Sequence, residues 1–257
     1  MKDNVVKNSD STDLVIGRNA VMQAIDSGRE IDCLFVTKGE KNGSIGVIIK
    51  KCRENGIVIK EFDRRKLDLM CSGANHQNVA ARCAAHEYAS VDDFFALAQQ
   101  RGEDPFIIIC DELEDPHNLG AIIRTAEVTG AHGVIIPKRR SVTLSSTVAK
   151  TSAGAIEYVP VAKVVNISAQ IENLKKRGVW VYCADMDGED WCTVDLSGPV
   201  ALVIGSEGKG VSRLVKEKCD VVVSLPMKGR INSLNASVAA GILMMEVSRQ
   251  RSGIKRK

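Results

Sequence analysis

The residues best suited to chemistry fall into three short groups, each at the end of an apolar run or at the start of a helical pattern. The first is the turn Gly205-Ser-Glu-Gly-Lys-Gly210, whose single acid is Glu207. The second, Asn232-Ser-Leu-Asn-Ala236, follows the apolar run 221–225, and the third is the polar start of residues 115–126. Open α/β sheets form their ligand sites where buried strands end and helices begin. The three groups therefore indicate ligand-site positions.

The glycine turn matches neither of the common phosphate-binding loops. A P-loop would end in Gly-Lys followed by Ser or Thr, and a dinucleotide fingerprint would need Gly or Ala where this chain has Arg213. An isolated turn of this kind is explained equally well by glycines that tolerate positive φ. Glycines also let the backbone approach a ligand closely, so main-chain amides and carbonyls here are candidates for cofactor binding.

Asn118, Ser233 and Asn235 stand near predicted helix starts, where short polar side chains ordinarily cap the helix. From spacing alone, capping and a surface position for Arg124 explain these residues as well as an active site does. His117 has the chemistry of a general base, but we assign it no catalytic role. The other histidines are scattered without metal-ligand spacing, so no metal is expected.

The bulk composition restricts the class of protein. The chain has 257 residues, 44% of them hydrophobic, and a formal net charge of +3, so any nucleic-acid surface must come from local clusters. Aromatic residues, at 4%, are too few for a base-stacking platform. The 8 cysteines form no CxxC pair and indicate reduced thiols in a cytoplasmic protein. Residues 1–12 are polar and expected to be disordered, with no signal peptide, and no apolar run is long enough to span a membrane.

Strand and helix patterns divide the chain into two α/β units. Short apolar runs alternate with helical patterns over residues 13–88, which predicts a small α/β domain. Residues 89–104 are expected to link it to a second domain over residues 105–250. Apolar runs without alternation indicate that this second domain has parallel strands buried on both faces. Residues 251–257 form a basic tail.

The three groups, in this order and spacing, resemble the signature motifs of the SpoU/TrmH family, the RNA ribose 2′-O-methyltransferases of the SPOUT class. The resemblance implies a parallel α/β catalytic domain with a C-terminal trefoil knot, S-adenosyl-L-methionine as cofactor, and a homodimer in which both subunits approach each active site. Residues 13–88 resemble the small ribosomal-protein-like domain that binds the RNA substrate in many members. The segment Gly73-Ala-Asn-His-Gln77 resembles the end of that domain in the subgroup that methylates a guanosine of bacterial 23S rRNA.

The resemblance also implies roles for individual residues. The catalytic set would be Asn118, Arg124, Glu207, Ser233 and Asn235, and main-chain groups of Gly205, Leu225 and Leu234 would hold the cofactor. A guanidinium does not normally lose its proton in a protein. We therefore interpret Arg124 as an electrostatic organiser that stabilises the developing alkoxide. The proton acceptor stays open between a phosphate, a water and a transiently neutral Arg124.

The basic cluster Pro137-Lys-Arg-Arg140 follows the predicted strand 134–136, and its Arg139 and Arg140 are expected to neutralise RNA phosphates. Ribose methylation of a guanosine in 23S rRNA is the favoured function. Two alternatives stay open. One is the same chemistry on tRNA, which the extra N-terminal domain disfavours. The other is a non-catalytic RNA-binding factor in ribosome assembly, which should have lost some of the five catalytic residues, whereas all are present.

Overall fold

The computed structural model describes residues 14–26, 28–40, 43–84, 86–231 and 233–253. The chain forms two compact units, one within Met1–Glu87 together with Thr143–Thr147, the other within Tyr88–Val142 and Val148–Lys257. Residues 1–12, which were expected to be disordered, lie outside the described residues, and so does most of the basic tail.

The first unit is a four-stranded mixed sheet with helices on both faces. Its strands are β1 (Leu14–Ile16), β2 (Ile31–Thr37), β3 (Val58–Phe62) and β4 (Val79–Cys83), in the order β1-β4-β2-β3. Its helices are α1 (Arg18–Asp26), α2 (Gly43–Glu54) and α3 (Arg64–Met70). Strand β2 pairs in parallel with β3 and antiparallel with β4. The sequence did not predict β1, because 3 residues are too few to show a periodicity.

Side-chain alternation along β2 explains why both faces of this small sheet are covered. Leu34 and Val36 pack in one core with Ile48 of α2. Phe35 packs in a second core with Leu67 of α3. Because successive side chains of a strand point to opposite faces, one central strand contributes to both cores.

The second unit contains a six-stranded sheet in which every neighbouring pair is parallel. Its strands are β5 (Phe106–Cys110), β6 (Gly133–Pro137), β7 (Val161–Val164), β8 (Trp180–Asp190), β9 (Val200–Ile204) and β10 (Val221–Ser224), in the order β10-β8-β9-β5-β6-β7. The helices after α3 are α4 (Val91–Arg101), α5 (Pro116–Val128), α6 (Ser146–Thr151), α7 (Ile167–Lys176), α8 (Arg213–Lys216) and α9 (Ala236–Arg251). The parallel α/β class expected from the sequence is confirmed.

The common direction of the strands places several loops at one edge of the parallel sheet. Strands β5 and β9 are adjacent and buried at every residue, as their unbroken apolar runs indicate. Because all six strands run the same way, the loops after β5, β6, β9 and β10 leave from one edge of the sheet. None of the helices within the described ranges has the length and apolar character that crossing a bilayer requires.

Residues 89–104, which the sequence indicated as a link, are a packed part of the second unit. Helix α4 begins with a capping box, in which the Ser90 hydroxyl accepts the Asp93 N–H and the Asp93 carboxylate accepts the Ser90 N–H. Phe94 is fully buried in the core of the parallel sheet, and a Cβ on Gly133 would lie 2.4 Å from its ring. The apolar face of α4 needs such a core to cover it, which the linker interpretation did not consider.

Strand β8 is longer and less regular than the run 179–183 predicted from the sequence. Strand β10 pairs with it at Cys183 and then at Glu189, so the intervening residues bulge out of the ladder. Gly188 permits this close approach, because a Cβ there would lie 2.4 Å from the backbone of Val222.

Candidate active site

Three of the residues expected to be catalytic meet in one hydrogen-bonded cluster, although they are far apart in the chain. Nδ2 of Asn118 donates to Oε1 of Glu207 over 3.0 Å, and Nδ2 of Asn235 donates to Oδ1 of Asn118 over 3.0 Å. Nδ2 of Asn235 also donates to Oε1 of Glu207. The carboxylate therefore receives two amide N–H groups on one oxygen. Its Oε2 accepts no hydrogen bond from another described residue and can take one from a ligand.

Asn118 reaches the cluster from inside the first turn of α5. The N-cap of this helix is Asp115, which accepts the N–H of His117 over 2.9 Å, and Pro116 occupies the first helical position. Asn118 is only 4% exposed, so its polar side chain is buried and takes its hydrogen bonds from the cluster. The alternative in which Asn118 caps the helix is therefore wrong.

Glu207 stands at the tip of a closed loop after β9, which we call the glycine loop (residues 205–210). Ser206 and Gly210 exchange two main-chain hydrogen bonds, of 3.1 and 2.9 Å, across the base of this loop. Gly205 has no room for a side chain, because a Cβ would lie 2.1 Å from the carbonyl carbon of Gly210. Gly208 adopts a φ of +82°, as a tight turn requires. The glycines thus shape the loop that presents the acid.

Asn235 caps a helix and joins the cluster at once, through the two ends of its amide. Its Oδ1 accepts the N–H groups of Ser237 and Val238 over 2.9 and 3.3 Å and so caps α9. Its Nδ2 is used for Asn118 and Glu207. The capping explanation therefore holds for this residue, and the other end of its amide belongs to the cluster. The N-termini of α5 and α9 both supply side chains to the Glu207 carboxylate, and their helix dipoles favour negative charge at that position.

Asp111 is a buried acid at this edge that the sequence reasoning did not single out. It directly follows β5 and is 4% exposed. Its Oδ2 accepts the N–H of Ser212 over 2.8 Å, and its own N–H donates to the carbonyl of Ile204 over 2.8 Å. The chain segments on both sides of the glycine loop are therefore bonded to one residue. An acid directly after a wholly apolar strand was the signal that could have identified it.

The residues expected to hold a cofactor lie on segments that follow β9 and β10. Gly205 begins the glycine loop, and Leu225 directly follows β10. Leu234 is 39% exposed just before α9. Across residues 225–231, no main-chain N–H or C=O has a hydrogen-bond partner among the described residues. This segment therefore offers unused backbone donors and acceptors at the same edge as the cluster.

Arg124 and Ser233 are the two expected catalytic residues that lie outside the cluster. Arg124 is exposed on α5, and its guanidinium forms no hydrogen bond or ion pair with another described residue. Ser233 is likewise exposed and makes no hydrogen bond within the described ranges. Its neighbour Asn232 lies outside those ranges.

Helices α5 and α9 both carry exposed apolar side chains, and we call Val128, Val238 and Met245 together the α5–α9 patch. Helix α5 packs against α9. Val128, one turn after Arg124, is 70% exposed, and Val238 and Met245 of α9 are 50% and 54% exposed. Large apolar side chains so exposed on two adjacent helices are typical of a protein interface.

The two arginines expected to bind RNA differ in their surroundings. Nη1 of Arg140 lies 3.1 Å from Oε1 of Glu112, and both residues have left-handed backbones, with φ of +55° and +52°. Arg139 is exposed and has no ion pair with another described residue. The charge of Arg140 is thus partly compensated within the chain, whereas that of Arg139 is not.

The chemistry available at the Asn118–Glu207–Asn235 cluster is that of one carboxylate and two amides. Burial raises the pKa of the Cys110 thiol at the end of β5 to about 12, so this cysteine is a core residue and not a nucleophile. Within the part of the chain that is described, no group of three or more His, Cys, Asp or Glu residues could hold a metal ion. The arrangement suits hydrogen bonding to a polar ligand and the placement of charge beside it.

Comparison with known proteins identifies the class. Residues 105–245 match the family described as the SpoU rRNA Methylase family, and residues 14–89 match the family described as RNA 2′-O ribose methyltransferase substrate binding. The chain therefore belongs to the SpoU/TrmH family of RNA methyltransferases, which confirms the resemblance seen in its motifs.

Relatives and solved structures agree with this assignment. YacO of Bacillus subtilis (strain 168), named as a TrmH family tRNA/rRNA methyltransferase, is 51% identical over 247 residues, which are 96% of this chain and 99% of YacO. The SpoU methyltransferase AviRb from Streptomyces viridochromogenes, solved with AdoMet, matches with a TM-score of 0.60 at 23% identity, over 94% of this chain and 91% of its own. The AdoMet-bound rRNA methyltransferase from Sinorhizobium meliloti matches with a TM-score of 0.56 at 25% identity, over 92% and 87%.

Proposed function

We propose that this chain is an S-adenosylmethionine-dependent RNA ribose 2′-O-methyltransferase whose reaction takes place at the Asn118–Glu207–Asn235 cluster. The observation that carries the proposal is the cluster itself. Each of its members comes from a different one of the three sequence motifs, and all three share hydrogen bonds at the carboxyl edge of the parallel sheet. Residues 105–250 would form the catalytic domain, and residues 13–88 would bind the RNA.

The residues at this edge fit S-adenosylmethionine, the ligand that the AviRb and S. meliloti structures are described as containing. Residues 225–231 present main-chain groups that the described protein leaves unused, and Leu234 adds a half-exposed apolar side chain. We assign the main-chain contacts to Gly205, Leu225 and Leu234. The bound cofactor supplies the electrophilic methyl group.

The protein contributes orientation and charge placement to this reaction. Glu207 accepts a hydrogen bond from the ribose through Oε2, the oxygen that the cluster leaves open. Asn118 and Asn235 hold the carboxylate so that the 2′-hydroxyl meets it in one geometry, which reduces the entropy lost on reaction. Arg124 stabilises the alkoxide as it develops, and Ser233 contributes its hydroxyl to the ribose.

In a homodimer, Arg124 would reach the proposed reaction site. Within one chain its guanidinium has no described partner, although it follows Asn118 on the same helix. The α5–α9 patch, which includes Val128 one turn after Arg124, is apolar and exposed. Two chains that associate through this patch would bury it and place Arg124 at the cluster of the partner subunit. We include the trefoil knot in the proposal because the resemblance of the three motifs to the SPOUT class implies it.

For the substrate, we propose a guanosine of 23S rRNA, with tRNA as the second candidate. The small N-terminal domain and the segment Gly73-Ala-Asn-His-Gln77 support rRNA. The A. aeolicus TrmH/SpoU tRNA modifying enzyme supports tRNA, and its likeness, with a TM-score of 0.53 at 29% identity, extends over 59% of this chain. The name of YacO includes both tRNA and rRNA.

Methyl transfer from tritium-labelled S-adenosylmethionine tests the proposal. Full-length protein is incubated with 23S rRNA, with large ribosomal particles and with bulk tRNA. The labelled position is then mapped by its resistance to alkaline cleavage, which a 2′-O-methyl group confers. We expect label at a guanosine of 23S rRNA. Label in tRNA alone would support the second candidate, and tight RNA binding without label would favour a non-catalytic assembly factor.

A further inference from the structure

The glycine loop is attached to the centre of the parallel sheet by one buried hydrogen bond. Oδ2 of Asp111 accepts the N–H of Ser212 over 2.8 Å, across 101 residues of sequence. We propose that Asp111 is a positioning residue for methyl transfer, because its hold on Ser212 sets where Glu207 stands. This inference rests on the proposed function.

The geometry of the loop explains how one bond at its end could control the acid at its tip. Ser206 and Gly210 close the base of the loop with two main-chain hydrogen bonds, and Gly205 lies in van der Waals contact with the Gly210–Val211 peptide. The loop therefore moves as one body. On one side it continues β9, and on the other side it is held at Ser212.

The burial of the acceptor makes this bond strong. Asp111 is 4% exposed, and a buried carboxylate is costly unless it is hydrogen-bonded. An N–H donated to a charged acceptor contributes more than a neutral pair does. Without the bond, Val211 still packs in the core of the sheet, but Ser212 loses its polar anchor and the loop can shift about the end of β9. Glu207 then no longer holds the distances to Asn118 and Asn235 that define the cluster.

Ser212→Pro removes the donor of this bond and also places the ring Cδ against Oδ2 of Asp111, so its effect is compared with that of Asp111→Ala and of the double variant. The φ of Ser212, −62°, already suits proline, and its side chain makes no capping hydrogen bond. Ser212→Pro deletes the N–H, and Ser212→Ala keeps it and serves as the reference. Asp111→Ala deletes the acceptor, and Asp111→Asn keeps an oxygen in its place.

The kcat of methyl transfer should distinguish the variants that lose this hydrogen bond from those that keep it. We expect Asp111→Ala and Ser212→Pro to lower kcat by on the order of 10- to 100-fold, as a misplaced catalytic group does. The KM for cofactor should change less than kcat, because Gly205 lies next to the end of β9 and Leu225 and Leu234 lie outside the loop, and Asp111→Asn should restore most of kcat. The double variant Asp111→Ala/Ser212→Pro should be no slower than either single variant, because both remove the same bond. Wild-type kcat in Asp111→Ala, measured well below its unfolding temperature, would overturn the positioning role.

Amide hydrogen exchange tests the anchoring without any use of catalysis. Exchange in a peptide covering residues 205–216 should accelerate in Asp111→Ala and not in Asp111→Asn. Unchanged exchange in Asp111→Ala would overturn the inference even if the protein is a methyltransferase. If the wild-type protein transfers no methyl group to any RNA, the proposed function fails, while accelerated exchange would still support the anchoring of the loop.

Discussion

Substitutions of Asn235 should separate its effect on folding stability from its effect on methyl transfer, because the two ends of its amide bond to different partners. Oδ1 caps α9 through the N–H groups of Ser237 and Val238. Nδ2 donates to Asn118 and Glu207. Asn235→Ser keeps a good capping oxygen but removes the amide donor. Asn235→Ala removes both.

The expected magnitudes follow from these contacts. A hydrogen bond to a charged group contributes about 1.5–3 kcal/mol, and its loss in the transition state corresponds to a decrease in kcat of roughly 10- to 150-fold. Loss of an N-cap costs ~1 kcal/mol of folding stability. Asn235→Ser should therefore lose most methyl transfer with a small loss of stability. Asn235→Ala should lose methyl transfer and a further ~1 kcal/mol of stability.

The assay pairs urea unfolding with tritium transfer at saturating RNA and cofactor. Asn166 provides the matched control, because it caps α7 by accepting the N–H of Ala169 over 3.1 Å and lies outside the cluster. Asn166→Ala should lower the free energy of unfolding by ~1 kcal/mol and leave kcat unchanged. Wild-type turnover in Asn235→Ser would refute the reasoning, because the amide donor would then have no part in the reaction.

Three further predictions follow from the site and its surroundings. Arg124→Ala should abolish methyl transfer while calorimetric titration shows unchanged affinity for the cofactor, and appreciable turnover would remove Arg124 from the active site. Arg139→Ala should flatten the slope of log RNA affinity against log salt by about 0.7 per lost phosphate contact. Arg140→Ala should flatten the slope less, because Glu112 lies 3.1 Å from its guanidinium, and equal effects would contradict this distinction. Burial lowers the pKa of His132 in the folded protein. Folding stability should therefore fall as pH drops below the unfolded value of about 6.5, and unfolding of His132→Gln should show a shallower dependence between about pH 7 and 5.

Much of the secondary structure could be predicted from the sequence, because its signals are local. The unbroken apolar runs of β5 and β9 indicated buried parallel strands, and both are buried throughout. The elements that were missed, β1 and β7, are 3 and 4 residues long and carry no periodicity of their own. They form strands because β1 pairs with β4 and β7 pairs with β6.

The motifs determined the family and the identity of the candidate residues, because both depend on residue types and their order. From the sequence, helix capping and an active-site role explained Asn118 and Asn235 equally well, since both roles use the same short polar side chains. Only the tertiary structure shows which of them caps a helix. It places Asp115 at the cap of α5 and buries Asn118 against Glu207, and it divides the amide of Asn235 between the cap of α9 and the hydrogen-bonded cluster. Asp111 shows the same limit, since its partner Ser212 is 101 residues away and no local pattern predicts that contact.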